Sequence, residues 1–200
     1  MRDENRIRTI LESLLDELGI PQEERERLVL DTAQNAAQSH LRATEGYFQN
    51  AADVLAHTTE CTSPYRVSLP TSNIVTVRSL GAASTCAEHL QPMSVAVKIA
   101  YIPKHLGTGD RRTVPVGNMA RLVKMFARRL TTPESIARSV ADALIAHVEA
   151  QGVMVKIATR HHCICGKNQF DDGVSIYCAG TLSTGSPQYG SALDLLSRQR

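Results

Sequence analysis

Tryptophan is absent from this 200-residue chain, and phenylalanine occurs only three times. Surfaces that bind single-stranded nucleic acid stack bases on planar side chains, so that class of function has little material here. A surplus of one charge is missing as well. Twenty-two Lys and Arg stand against 20 Asp and Glu, a net charge of +2. No basic run is dense enough to follow a phosphate backbone, and no nucleic-acid partner is expected. No apolar run approaches the roughly 20 residues that span a membrane. The N-terminal MRDENRIR is charged and lacks the apolar core of a signal peptide. The expected location is the cytoplasm, without membrane association. The five cysteines are an odd number, and a cytosolic chain seldom uses disulfides. Metal binding or plain burial are the readings left for them. What remains is ordinary globular material, 42% hydrophobic and 21% charged, enough for a core.

Apolar positions 7, 10, 11, 14, 15 and 18 have helical spacing, and Gly19 with Pro21 ends that segment. A second helix is expected over 22–43. Residues 44–72 are mixed, with a possible helical turn over 53–57 and loop signals at Ser63-Pro64 and Pro70. Residues 73–80 and 93–102 alternate and are rich in β-branched side chains, so both read as strands. The polar, Gly-rich stretch 104–113 reads as a loop. A helix is expected from about 117 to 130. Another starts at Thr132, an N-cap residue followed by Pro133 and Glu134, and stops at Gly152. Strands follow at 153–158 and 173–182. This order predicts an α+β domain whose antiparallel sheet carries its helices on one face.

Two segments carry chemistry, each directly after an expected strand. Cys86-Ala87-Glu88-His89 can turn a sulfur and an imidazole onto one ion. His161-His162-Cys163-Ile164-Cys165 offers further thiolates and imidazoles. Two thiolates and one imidazole would make a three-ligand zinc site with a fourth position open to water, the arrangement of a catalytic centre. On spacing alone, buried cysteines beside incidental histidines compete with that reading.

The segment 84–103 (STCAEHLQPMSVAVKIAYIP) resembles the S-x-C-E-H-H-L-x-P-F…I-x-Y-I-P pattern of the GTP cyclohydrolase I family. Residues 116–130 (VGNMARLVKMFARRL) are similar to its G-L-S-K-x-x-R-I-V…F-x-x-R-L-Q, and 134–140 (ESIARSV) to its E-R-L-T-x-Q-I. Residues 152–164 (GVMVKIATRHHCI) align without a gap on G-V-x-V-x-x-E-A-x-H-x-C-M. LLDELG and LVLDTAQNAAQ near the N-terminus resemble the family's entry helices.

The resemblance implies a tunnelling fold. Its four-stranded antiparallel sheet carries two helices on one face, with an N-terminal helical region (1–72) before the catalytic domain (73–200). It implies zinc held by Cys86, His89 and Cys163, with Cys165 as packing or as the substitute for Cys163. It places His161 on a catalytic histidine that moves protons at the purine N7. It places Glu134 on the glutamate that grips the guanine edge, and Arg121 on a basic residue near the phosphates. It also implies a homo-oligomer, a decamer with sites at subunit interfaces, acting on a small-molecule purine.

The departures from the pattern cluster at the site. Glu88 replaces the first histidine of C-E-H-H, which makes it a candidate proton carrier beside His161. Gly117-Asn118 replaces Ser-Lys, and Lys167 replaces an arginine. Asn118 and Lys167 therefore remain as candidate substrate contacts in a weakened phosphate site. Arg111 and Arg112 could rebuild it, although charged loops are usually just solvated. The expected activity is opening of the imidazole ring of a guanine-type purine by attack at C8. The product would be dihydroneopterin triphosphate or an earlier ring-opened pyrimidine. The alternatives are an enzyme acting on a non-triphosphate purine, a pterin or a related heterocycle, and a zinc-containing purine-binding paralogue without turnover.

Overall fold

A computed structural model describes residues 2–27, 32–61, 74–106, 111–163 and 172–198. The chain forms two compact units, Met1–Glu45 and Gly46–Arg200.

The first unit is helical. Helix α1 spans Glu4–Glu17, capped by the Asp3 side chain, which accepts from the Arg6 amide at 3.1 Å. Gly19, at φ +67°, turns the chain after it. Within the segment expected as one helix over 22–43, the described residues form α2 (Gln22–Arg27) and α3 (Thr32–Ala43). The Glu4 carboxylate accepts from the Gln34 and Gln38 side chains and ties α1 to α3.

A 3-10 turn (Glu45–Phe48) runs across the boundary, and the short helix α4 (Ala51–Leu55) and strand β1 (Thr59–Cys61) follow in the second unit. Strands β2 (Val75–Cys86), β3 (Pro92–Ile102), β6 (Gly152–His161) and β7 (Asp172–Gly180) form an antiparallel sheet in that spatial order. The four expected strands are thus present. A two-residue strand, β5 (Leu130–Thr131), adds a fifth by pairing parallel with Thr85 and Cys86 on the outer edge of β2.

Helices α5 (Val116–Ala127) and α6 (Pro133–Val148) cover one face of the sheet. Met119, Leu122, Ile136, Val140 and Leu144 pack there against Val77, Val95, Val97, Ile99, Val155 and Ile157. Helix α5 ends at Ala127 rather than 130 because the chain must straighten to lay Leu130 and Thr131 on β2.

Four further expectations need correction. Strand β2 continues six residues past Leu80 to Cys86, after a bulge at Arg78-Ser79 where Ser79 takes φ 65°. Its second half, GAASTC, is too poor in β-branched residues to announce itself. The polar stretch 104–113 is not all loop, because Arg111–Thr113 forms β4, which pairs with β1 in a separate two-stranded sheet. Helix α6 stops at Glu149, not at Gly152. Glu149 takes φ 54° with its carboxylate 2.6 and 2.7 Å from Lys104 Nζ. Gly152 instead opens β6, where a Cβ would sit 2.7 Å from the Leu182 amide. Strand β7 ends at Gly180, and Leu182 is buried in a second cluster beneath α7 (Tyr189–Ser197) on the other face of the sheet. No helix is expected from the sequence there, because a Ser-, Gly- and Pro-rich run precedes it.

Thr132 Oγ1 accepts from the Ser135 amide at 3.3 Å and Pro133 occupies the first helical position, so α6 starts as expected. Thr132→Ala is expected to destabilise the protein by about 1 kcal/mol in chemical denaturation, the usual cost of a lost N-cap.

Candidate metal centre and adjoining cavity

Cys86 is the last residue of β2, paired on one side with Thr131 of β5 and facing on the other the residue just before β3. The chain then makes a tight turn. The Cys86 amide donates to Gln91 O at 2.9 Å, the Leu90 amide returns to Cys86 O at 3.0 Å, and Leu90 takes φ 54°. This turn brings His89 Nδ1 to 3.8 Å from Cys86 Sγ. From the other side, β6 pairs His161 with Met93, and the His162 amide donates to Pro92 O at 3.2 Å. Cys163 follows at once. The candidate ligand atoms of Cys86, His89 and Cys163 all lie within 4.8 Å of one another. Cys86 is buried, Cys163 half-buried and His89 exposed.

The donor set suits zinc, since two thiolates and an imidazole favour it over magnesium or calcium. The His89 hydrogen bond lowers the Cys86 thiol below its ordinary range. Burial opposes this, and nearby backbone amides and Cys163 assist. The thiolate is the ligating form of cysteine.

A cavity of about 330 Å³ opens beside these three residues. Glu88 and His161 line it, as do Thr131, Thr132 and Glu134 at the start of α6 and Thr159, Gly173 and Ser175 on β6 and β7. Ser175 Oγ donates to Glu134 Oε1 at 2.6 Å. That bond, with help from the Glu134 amide, the Thr132 hydroxyl and the charge of His161, holds the Glu134 carboxyl below its ordinary value. The fold therefore gathers Cys86, Glu88, His89, Glu134, His161 and Cys163 around one space.

Other candidates are not brought there by the chain's own fold. Asn118 lies on the first turn of α5 and donates to His57 O at 3.0 Å. The far end of α5 is the end near Cys86, since Ala127 O accepts from Ser84 Oγ at 2.6 Å. The nine helical steps from Asn118 to Ala127 span about 13 Å. Arg121 is exposed on α5. Arg112 lies 4.0 Å from Glu149, and its amide donates to Lys104 O. This places it beyond the end of β3 opposite Pro92, roughly 30 Å along the strand. Arg111 precedes it on β4. Lys167 and Cys165 lie outside the described residues.

Sequence reasoning misses Ser175, Thr159 and Gly173, because alternation along a strand marks which side a residue faces but not that a site lies there. Thr159 is 2% exposed, and its hydroxyl has no partner among the described residues. An unsatisfied buried hydroxyl costs about 1–3 kcal/mol. Thr159→Val is therefore expected to raise the melting temperature of the metal-free protein or leave it unchanged, as read by calorimetry. A fall would mean that the hydroxyl has a partner after all.

A sequence model of GTP cyclohydrolase I matches residues 4–185. The chain belongs to the GTP cyclohydrolase I family. A GTP cyclohydrolase 1 of Allorhizobium ampelinum is 32% identical over 161 residues, which are 80% of this chain and 71% of that protein. One from Campylobacter lari is 40% identical over 93 residues, 46% of each chain. One from Brucella anthropi is 31% identical over 141 residues, 70% of this chain and 60% of that protein. Among solved structures, the apo archaeosine synthase QueF-Like matches with a TM-score of 0.44 at 15% identity, covering 55% of this chain and 96% of that one. Dihydroneopterin aldolase of E. coli bound to neopterin matches with a TM-score of 0.42 at 16% identity, covering 54% and 98%. Membership of the GTP cyclohydrolase I family brings with it the tunnelling fold expected from the motifs, and the α+β architecture described above is compatible with it.

Proposed function

We propose that this protein is a zinc-dependent cyclohydrolase that opens the imidazole ring of a guanine-type purine at C8. The observation that carries this reading is one cavity with the Cys86–His89–Cys163 cluster on one wall and an ionised Glu134 on another. Zinc bound there supplies Lewis acidity and water ionised near neutral pH. Glu134 accepts from the N1–H and 2-amino groups of guanine and sets the base in one orientation. His161 gives a proton to N7 as water adds at C8. Glu88 stands at the cavity where the family pattern has a second histidine, and takes up or returns protons on that side.

The substrate's tail is read from what is missing. Asn118 replaces a lysine, and its carboxamide is engaged with a backbone carbonyl. A neutral hydrogen bond is worth about 1 kcal/mol, and a charged one roughly twice that. The protein therefore depends less on a triphosphate than the family pattern implies. Further copies of the chain are expected around the site. Among the described residues β7 is the outermost strand on its side of the sheet, and an open edge calls for a partner. A sedimentation mass equal to one 21.8 kDa chain would count against assembly.

The test is to incubate zinc-loaded protein with GTP, GMP, guanosine and guanine, identify products by mass spectrometry, and measure kcat/KM for each. Ring-opened or pterin products are expected, with GTP favoured over guanosine by less than about a hundredfold. Absence of any product would overturn the activity, and a larger ratio would overturn the reading of the tail.

A further inference from the structure

We propose that Ser175 is a positioning residue that fixes the plane of the Glu134 carboxylate, so that the cavity selects heterocycles presenting two adjacent N–H donors. This rests on the proposed function, which treats the cavity as a purine site.

Glu134 sits in the first turn of α6 and is exposed, so its own helix leaves the side-chain torsions free. A carboxylate accepts from two neighbouring donors only when its plane lies in the plane of the ligand edge. A carboxylate that swings freely accepts one donor at a time and discriminates poorly. The ordering comes from across the gap. Ser175 lies on β7, paired with Ile157 of β6, and its side chain faces α6. Its hydroxyl donates to Glu134 Oε1 at 2.6 Å, a short, charge-assisted bond.

That bond takes up one acceptor position on Oε1, and a carboxylate has about four, so acceptor capacity remains for a ligand edge. The neighbours on the same side of β7 keep the space open. Gly173 has no side chain, and a Cβ there would meet nothing within 4 Å. Farther along β7, the Tyr177 hydroxyl lies 3.5 Å from Asp142 of the same helix. Strand β7 thus steadies α6 at two points, and the Ser175 contact falls at the cavity. The other groups acting on the carboxylate are the Glu134 amide, the Thr132 hydroxyl and His161 of β6. None of these contributes as much as Ser175.

The experiment uses the zinc-loaded full chain, Ser175→Ala and Ser175→Thr, with guanosine and inosine as probes. Inosine keeps N1–H and lacks the 2-amino group. In Ser175→Ala, kcat/KM for guanosine is expected to fall roughly tenfold and the guanosine-to-inosine ratio to fall with it, at unchanged zinc content. Ser175→Thr, which keeps the hydroxyl, is expected to restore both. A Ser175→Ala enzyme that loses both substrates equally would show a merely structural role and overturn the proposal. The Glu134 carboxyl titration, followed by carbon-13 NMR, gives a substrate-independent readout and is expected to move up in Ser175→Ala. If the wild-type protein turns over neither nucleoside nor GTP, the purine reading of the cavity fails; turnover of GTP alone overturns only the reading of the tail. The titration still decides the role of Ser175, because an unmoved Glu134 overturns it.

Discussion

Cys86→Ala is expected to lose zinc and turnover together. Cys86 is the buried member of the cluster and the one whose thiol is already biased toward the thiolate. Two remaining donors do not make a stable site for an ion that takes three protein ligands at catalytic centres. Loss of an outer partner of a metal ligand typically costs about 10–100-fold, so loss of a ligand itself should cost on the order of 10³-fold or more in kcat. The measurement is zinc per chain by elemental analysis, alongside kcat with zinc in excess. Full occupancy in Cys86→Ala would remove Cys86 from the ligand set. Because Cys86 is also buried where β2 pairs with β5, the melting temperature of the variant should be compared with that of chelator-treated wild type. Occupancy is also expected to fall on acidification, since the thiolates and the imidazole must release protons to bind.

Glu134→Gln is expected to lower kcat/KM for guanosine and GTP by on the order of 10²-fold or more, with zinc content unchanged. Glutamine presents an NH₂ group where the purine edge also presents donors, so two donors face each other in a partly desolvated cavity. Inosine should suffer less, having one donor fewer. An equal loss for both would mean that Glu134 does not read the 2-amino group. Acid pH gives a second check. Glu134 is held below its ordinary value of 4.5, so the folded protein favours its ionised form. Its contribution is fully present above the unfolded value and is lost only as pH falls through the depressed folded one. Guanosine binding that depends on Glu134 should therefore persist down to about pH 4.5 and weaken below it, and a loss beginning at pH 6 must come from another group.

The parts of the molecule legible in the sequence are those fixed by local chemistry. Thr132, Pro133 and Glu134 announce the start of α6 because capping needs particular residues at particular offsets. Strands β3 and β6 announce themselves by β-branched alternation. The three candidate ligands are visible through the family motifs, since the spacing of thiols and imidazoles alone leaves plain burial as a competing reading. What was hidden depends on tertiary pairing. The second half of β2 is a strand because β3 on one side and β5 on the other satisfy its backbone, not because GAASTC favours one. Glu149 ends α6 in a left-handed conformation without glycine, with Lys104, far away in sequence, holding its side chain. Asn118 reads as a substrate contact from its place in a motif, yet within one chain its carboxamide is bound to His57 O. Ser175 carries no signal at all until β7 is laid beside α6.

The short parallel pairing of β5 with β2 has one further consequence. Thr131 aligns with Cys86 and its carbonyl accepts the Ala87 amide at 3.2 Å, while the next three residues are the cap, the proline and Glu134. The segment that carries Cys86 and His89 and the segment that carries Glu134 are therefore joined at one short backbone pairing, like two jaws of a caliper. If the cavity takes a purine as proposed, such a gauge would measure the span from the heterocycle's amide edge to its reactive carbon and be indifferent to whatever hangs beyond it. A lineage could then exchange the far end of its substrate without resetting the jaws.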